Sequence, residues 1–176
     1  KLQSFVFMPV FGLNQGYMPI MGYNYGHNNP DRMKKTIKST FVVAITFTII
    51  GFLLFQVFPE QLAALFTKDP ELIKIGSTAL KRISLAFPII GPAIIISTTF
   101  QAIGKGMPSL ILSAARQLLL LIPAFILLSK YFGLNAVWYA FPLAEIISFI
   151  LGAIWLYYVL GEVFIKLKKK KQINNA

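Results

Sequence analysis

Apolar residues in this chain come in long blocks separated by short polar stretches, and not in the amphipathic stripes of a soluble helix. A helix that spans a membrane needs roughly 20 mostly apolar residues, because it rises about 1.5 Å per residue through about 30 Å of hydrocarbon. The pattern therefore predicts an all-α integral membrane protein, a bundle of about five transmembrane helices joined by short loops. The predicted spans cover residues 2–22, 36–58, 80–103, 108–128 and 136–160.

The composition agrees with a chain that is dissolved in lipid. Hydrophobic residues make up 56% of the 176 positions, charged residues only 13%, and the mean hydropathy is +0.68. A soluble domain usually carries more charge and less apolar surface. The chain has 17 Lys and Arg but only 6 Asp and Glu. The basic residues lie mostly between and after the apolar blocks, so they predict the membrane topology and do not indicate a nucleic-acid partner. The absence of cysteine excludes disulfides and thiolate metal sites.

Prolines and glycines interrupt two of the predicted spans. The third contains Pro88, Gly91 and Pro92, and the first contains Pro9 and Pro19. We expect helix breaks at these positions, because proline removes a backbone donor and clashes with the preceding turn. Broken helices are tolerated at membrane depth where they are buried in protein or line a cavity, which favours a transporter over an inert anchor.

Two polar segments lie outside the spans. Residues 59–79 form the longest connection, in which Asp69 and Pro70 predict an N-cap and the first helical position of a helix that continues into the third span. Residues 166–176 carry five lysines and are predicted to be a disordered basic tail that rests against anionic headgroups. The remainder, residues 1–165, is predicted to be one membrane unit.

The basic residues also predict an orientation. Spans alternate direction, so ten Lys and Arg share the side of the C-terminus and six share the side of Lys1. Because Lys and Arg are enriched in cytoplasmic loops, the count favours a cytoplasmic C-terminus. The ten are the five lysines of the tail with Arg32, Lys34, Lys35, Lys38 and Lys105.

Ionisable groups inside spans cost roughly 2.5 to 3.5 kcal/mol each at the membrane centre, so each needs a reason. Arg116 and Glu145 lie deep in the fourth and fifth spans, which are antiparallel neighbours, and their depths differ by only about 6 Å. We expect the two side chains to face the bundle interior and to interact. The pair is either a lock between two helices or a part of a transport cavity.

Other polar residues in the spans are weaker candidates for the interior: Asn14, Gln15, Gln101 and Gln117. Uncharged polar side chains in membrane helices commonly form hydrogen bonds between helices. No carboxylate pair, metal-ligand cluster or nucleophile with its base can be assembled from the sequence, so neither an enzyme nor a cofactor is predicted.

Four ordered blocks resemble the multidrug and toxic compound extrusion (MATE) family of efflux transporters, and the resemblance covers essentially the whole chain. The blocks are Gly12-Leu13-Asn14-Gln15-Gly16-Tyr17-Met18-Pro19-Ile20 with Gly22-Tyr23-Asn24-Tyr25-Gly26; Leu65-Phe66-Thr67 with Asp69; Phe100-Gln101-Ala102-Ile103-Gly104-Lys105; and Ala115-Arg116-Gln117 with Ile122-Pro123, Gly133-Leu134 and Val137-Trp138.

The resemblance implies two lobes of six helices that expel cationic, lipophilic compounds across the cell membrane in exchange for Na⁺ or H⁺. The chain resembles helices eight to twelve, part of the C-terminal lobe, so the N-terminal lobe and a coupling-ion site are expected outside it. Two alternatives remain at this point. The first is a flippase for lipid-linked sugars with a related fold, which would be distinguished by a more charged cavity. The second is a non-transporting membrane subunit or remnant, which would be distinguished by uninterrupted helices.

Overall fold

The computed structural model describes residues 2–174, apart from the side chains of residues 134, 135 and 171–174. This part of the chain is helical, without a β-strand. The helices are α1 (Leu2–Gly26), α2 (Pro30–Val57), α3 (Pro59–Ala64), α4 (Pro70–Ser84), α5 (Phe87–Ala102), α6 (Gly106–Ala114), α7 (Ile122–Phe132) and α8 (Ala140–Asn174). A π-helical segment (Ala115–Leu121) joins α6 to α7, and a 3₁₀ helix (Leu134–Tyr139) precedes α8.

The helices follow the predicted spans closely. Three described segments are long and apolar enough to cross a membrane: Pro30–Val57, Gly106–Phe132 and Ala136–Lys170. A fourth is the bent pair of α4 and α5, whose axes differ by 49°. Helix α1 has 25 residues but is more polar, so its crossing of the membrane stays a prediction. The all-α membrane bundle predicted from the sequence is confirmed.

The structure has a helix break, but it does not lie at most of the predicted positions. Helix α1 continues through Pro9 and Pro19, and α5 contains Gly91 and Pro92 without interruption. The break lies at residues 85–86, just before Pro88, which occupies the first turn of α5. Pro88 has no N–H to donate to the preceding turn, so the chain bends there and resumes as a new helix. A single proline further inside a packed helix removes one hydrogen bond without ending the helix.

The lysine-rich tail is helical, which corrects the prediction of a disordered segment. Helix α8 runs without a boundary at residue 165 and ends at Asn174, while residues 175 and 176 lie outside the described residues. Val163 and Leu167 are buried against the core on one face of this extension. Lysine has a high helix propensity. This propensity and the packing of the buried face together explain why the helix continues through the lysine-rich segment.

Helix α5 lies at the centre of the bundle and packs against α1, α2 and α8. It packs tightly on α2 at Gly91, where an added Cβ would lie 2.9 Å from Thr48 Cγ2 and 3.0 Å from the Ala44 carbonyl oxygen. On the opposite side, the ring of Phe100 packs edge-on against Trp155 of α8 with centroids 5.9 Å apart. Small residues at such crossings let membrane helices approach closely.

Basic residues from three parts of the chain lie at the same end of the bundle. Lys34, near the start of α2, places its Nζ 5.0 Å from the ring centroid of Phe164, near the end of α8. Gly22 of α1 lies beside the carbonyl of Ala102 of α5, so the turn that contains Lys105 is at the same end. This is the end that the charge count assigns to the cytoplasm.

The predicted start of α4 at Asp69 and Pro70 is confirmed. The Asp69 carboxylate accepts hydrogen bonds from the backbone N–H of Glu71 at 2.8 Å and of Leu72 at 3.5 Å. Two donors that have no partner within the helix are thereby satisfied.

Replacing Asp69 by alanine is expected to destabilise α4 by about 1 kcal/mol, because the cap is lost. Hydrogen exchange of the first turn of α4 measures the effect as faster exchange in the variant. Asp69→Asn is the matched control and should keep most of the protection, since asparagine caps about as well. Equal exchange rates in wild type and Asp69→Ala would show that the cap contributes nothing.

Candidate functional site

Arg116 and Glu145 form an ion pair inside the bundle, as predicted. Nη1 of Arg116 donates to Oε1 of Glu145 at 2.6 Å, and the two side chains are 35% and 13% exposed. Arg116 lies in the π-helical segment, and Glu145 lies in the second turn of α8. The second carboxylate oxygen, Oε2, is buried and has no hydrogen-bond partner among the described residues. The carboxylate is therefore only half satisfied by protein.

A polar cavity of about 210 Å³ lies beside the ion pair, between α1, α5, the α6–π segment and α8. It brings together three of the predicted candidates, Asn14, Gln101 and Arg116. The Oδ1 atom of Asn14 is buried and has no described hydrogen-bond partner. The other polar side chains that line the cavity are Ser97, Thr98, Ser113 and Ser148.

Hydroxyl groups connect α5 to α6 next to the cavity. Ser97 and Ser109 share a hydrogen bond of 2.5 Å between their Oγ atoms, and Nε2 of Gln101 donates to Ser109 Oγ at 2.9 Å. Ser109, Ser113 and Ser148 were missed by sequence reasoning, because serine costs little in a membrane helix and does not stand out from its neighbours. Their spacing around the helix was the only available signal.

A second buried polar contact joins α1 to α5. The hydroxyl groups of Tyr17 and Thr99 lie 2.7 Å apart, and both side chains are buried. Thr99 Oγ1 donates its proton to the carbonyl of Ile95 in its own helix at 2.6 Å, so the Tyr17 hydroxyl is the donor in the contact with Thr99. Tyr17 follows Asn14 by three residues, so the two side chains lie on the same face of α1, which is turned toward α5.

The structure does not bring the other candidates to the cavity. Gln15 and Gln117 are exposed on the outer faces of α1 and of the π segment. Pro88, Gly91 and Pro92 lie in the first part of α5, where Gly91 contacts α2, and Pro19 lies on an exposed face of α1. Of the candidate residues, Asn14, Gln101 and Arg116 line the cavity, although Gln101 is itself exposed, and Glu145 is held beside it by its ion pair with Arg116.

The size and lining of the cavity limit what it can hold. Drug-sized ligands occupy pockets of about 300 to 1,000 Å³, so this cavity is too small for a whole drug molecule. It has room for several waters, and its hydroxyl and amide groups offer the partners that buried waters need. A small polar group or hydrated ion suits this space better than an apolar ligand.

Apolar helices around a polar cavity and an ion pair define a multi-pass membrane protein with a polar site between its helices. The model of the MatE family matches residues 1–126, well over half of the chain. The chain belongs to this family.

Characterised relatives are transporters. The chain is 26% identical over 147 residues to an FAD transporter of Shewanella oneidensis, and 28% identical over 157 residues to the multidrug export protein MepA of Staphylococcus haemolyticus. These alignments cover 84% and 89% of the chain but only 32% and 34% of the relatives. The chain thus spans about a third of their length.

Solved structures give the same family and the same coverage. The MATE multidrug transporter DinF-BH, solved as a complex with a bound compound, is 40% identical with a TM-score of 0.84, over 93% of this chain and 36% of that one. An inward-facing MATE family transporter has a TM-score of 0.87 at 21% identity, over 92% of this chain and 38% of that one, which shows the shared fold.

Proposed function

We propose that this chain is part of a transporter that expels cationic or lipophilic drugs and metabolites from the cell in exchange for Na⁺ or H⁺. The chain supplies helices of the C-terminal lobe. The N-terminal lobe completes the transporter and holds the coupling-ion site, and the export substrate binds between the two lobes.

One observation carries this proposal: a polar cavity with a half-satisfied ion pair inside an apolar bundle of the MATE fold. Burying Arg116 and Glu145 in a membrane helix is expensive, and a pair of helices that needs only to hold together can do so with small or apolar residues. The unpartnered oxygen of Asn14 beside water-sized space, and that of Glu145 behind Arg116, support an interior that is hydrated or occupied at some stage of transport.

The proposed orientation places the basic end of the bundle in the cytoplasm of a cell-membrane protein. Arg32, Lys34, Lys35 and Lys38 at the start of α2 share this end with the lysines of α8. Two helix ends from opposite parts of the chain thus carry the same charge on the same side, which supports the sidedness expected from positive residues.

Asn14→Leu is expected to lower efflux about tenfold, because it removes a polar group that faces the cavity; one lost hydrogen bond of about 1.4 kcal/mol corresponds to that factor. Everted vesicles that contain the full-length protein and a fluorescent cationic dye measure the rate. Gln15→Leu, a neighbouring and exposed amide, is the matched control and should keep the wild-type rate. Equal rates in all three proteins would remove the cavity from the transport path.

The similarity to an FAD transporter favours a second candidate, the export of an anionic nucleotide. Arg116, which also pairs with Glu145, lies on the cavity wall among hydroxyl groups, so the cavity would contact one phosphate group of the nucleotide while the rest of the molecule lies outside it. Uptake of FAD and uptake of the cationic dye, measured in parallel with the same everted vesicles, distinguish the two substrates. Uptake of FAD without uptake of the dye would replace the first proposal with the second.

A further inference from the structure

A groove between α2 and α8 lies on the outer surface of the bundle at its basic end. Its volume is about 430 Å³, and its walls are almost entirely apolar. Lys34 and Lys38 of α2 stand at one end of the groove, and no acidic residue is among the described residues that line it. The apolar wall includes Phe41 and Ile45 of α2 with Leu160 and Phe164 of α8.

Along α2, the residues that line the groove change from basic near its end to apolar further into the membrane. Lys34, Lys38, Phe41 and Ile45 follow one another at intervals of three and four, so they share one face of the helix. From Lys34 to Ile45 the helix rises about 16 Å, since each residue adds about 1.5 Å. One leaflet of a bilayer has about 15 Å of hydrocarbon. The groove therefore runs from the level of the headgroups to the middle of the membrane.

Along α8, which runs toward the basic end, the residues on the groove side change from apolar to basic. Leu160, Phe164 and Lys168 lie four residues apart on one face, and Lys168 is exposed at the basic end. The Lys34 ammonium is held over the Phe164 ring, 5.0 Å from its centroid, which fixes a cation at the mouth of the groove. Both helices thus present cations at the headgroup level and apolar side chains below it.

We infer that this groove binds one anionic phospholipid of the leaflet at the basic end, with its phosphate between Lys34, Lys38 and Lys168 and one acyl chain along Phe41 and Leu160. A zwitterionic lipid fills the apolar part equally well but gains less from the three lysines. The site is separate from the polar cavity, so lipid binding does not depend on the proposed efflux function.

Native mass spectrometry of the full-length protein in detergent tests the site by titration with phosphatidylglycerol and, separately, with phosphatidylcholine of the same acyl chains. The double variant Lys34→Ala and Lys38→Ala is expected to weaken phosphatidylglycerol binding roughly 25-fold, about fivefold for each lysine near the headgroup, and to weaken phosphatidylcholine binding much less, because the choline cation offsets the charge of its phosphate. The matched control, Lys35→Ala with Lys169→Ala, removes the same charge from the same end outside the groove and should bind as the wild type does. An equal loss in the control would show diffuse attraction and overturn the site.

A second variant tests the apolar half of the groove. Leu160→Trp fills the path of the acyl chain and is expected to weaken the binding of both lipids, whereas soluble glycerol phosphate at equal concentration should displace neither. Displacement by glycerol phosphate would make this a site for free phosphate, and a dimer that disappears with Leu160→Trp would make it an interface between two copies; either result overturns the lipid site. Circular dichroism melting curves confirm that the variants are folded, and because no export substrate is present, failure here leaves the efflux proposal intact.

Discussion

Replacing Arg116 by methionine is expected to destabilise the protein by about 3 kcal/mol, whereas replacing Glu145 by glutamine is expected to cost only about 1 kcal/mol. The asymmetry follows from the surroundings of the two groups. Without Arg116, the carboxylate of Glu145 is left 13% exposed with no cation and with an oxygen that already lacks a partner. A glutamine at 145 still offers an oxygen to Arg116, which is 35% exposed and can reach water in the cavity.

Unfolding of the full-length protein in mixed micelles measures both free energies. The double variant Arg116→Met with Glu145→Met should be more stable than Arg116→Met alone, because no unpaired charge remains in the bundle. Gln117→Met, at an exposed neighbouring position, is the control and should change stability by less than about 0.5 kcal/mol. A larger cost for Glu145→Gln than for Arg116→Met would contradict this description of the pair.

Efflux by the same variants decides between the two roles of the pair. A Glu145→Gln protein that is stable but transports nothing assigns the carboxylate a part in transport. Unchanged efflux makes Arg116 and Glu145 a lock between two helices.

Gly91→Ala is expected to destabilise the bundle by about 2 kcal/mol, the range found when a methyl group is forced into a packed core. The new Cβ would lie 2.9 Å from Thr48 Cγ2 and 3.0 Å from the Ala44 carbonyl oxygen, which belongs to the backbone of α2 and cannot rotate away. Helices α2 and α5 must then separate at Gly91.

The same unfolding experiment measures this cost, with Gly161→Ala as the control. A Cβ at Gly161 of α8 meets nothing within 4 Å, so alanine there should be neutral or stabilising by up to about 1 kcal/mol through helix propensity. If Gly91→Ala were as stable as Gly161→Ala, the close packing of α2 on α5 would not contribute to the fold.

The ion pair was accessible from the sequence because charge in a membrane helix is rare and costly. Arg116 and Glu145 stood out from their apolar neighbours, and helix rise alone placed them at similar depth. The cap at Asp69 was equally accessible, because Asp followed by proline is a strong local signal for a helix start. Both predictions rested on chemistry that is local or on the fixed geometry of a helix.

The rest of the site depended on how the helices rotate against one another. Asn14 and Gln15 are neighbouring amides in the sequence, yet only Asn14 faces the cavity, because it shares the packed face of α1 with Tyr17, which contacts Thr99. The π segment from Ala115 to Leu121 was not predicted either, since its residues have ordinary helix propensities. It shifts the angular register of α6 relative to α7 and so affects where Arg116 points.

The distance of 29 residues between Arg116 and Glu145 along the chain has a consequence for synthesis. Ribosomes add about 5 to 20 residues per second, so Arg116 enters the translocation machinery some seconds before its carboxylate partner does. An unpaired arginine in the segment Gly106–Phe132 raises the free energy of its insertion during that interval. We therefore expect this segment to wait beside the insertion machinery and to enter the bilayer together with α8 as a helical hairpin.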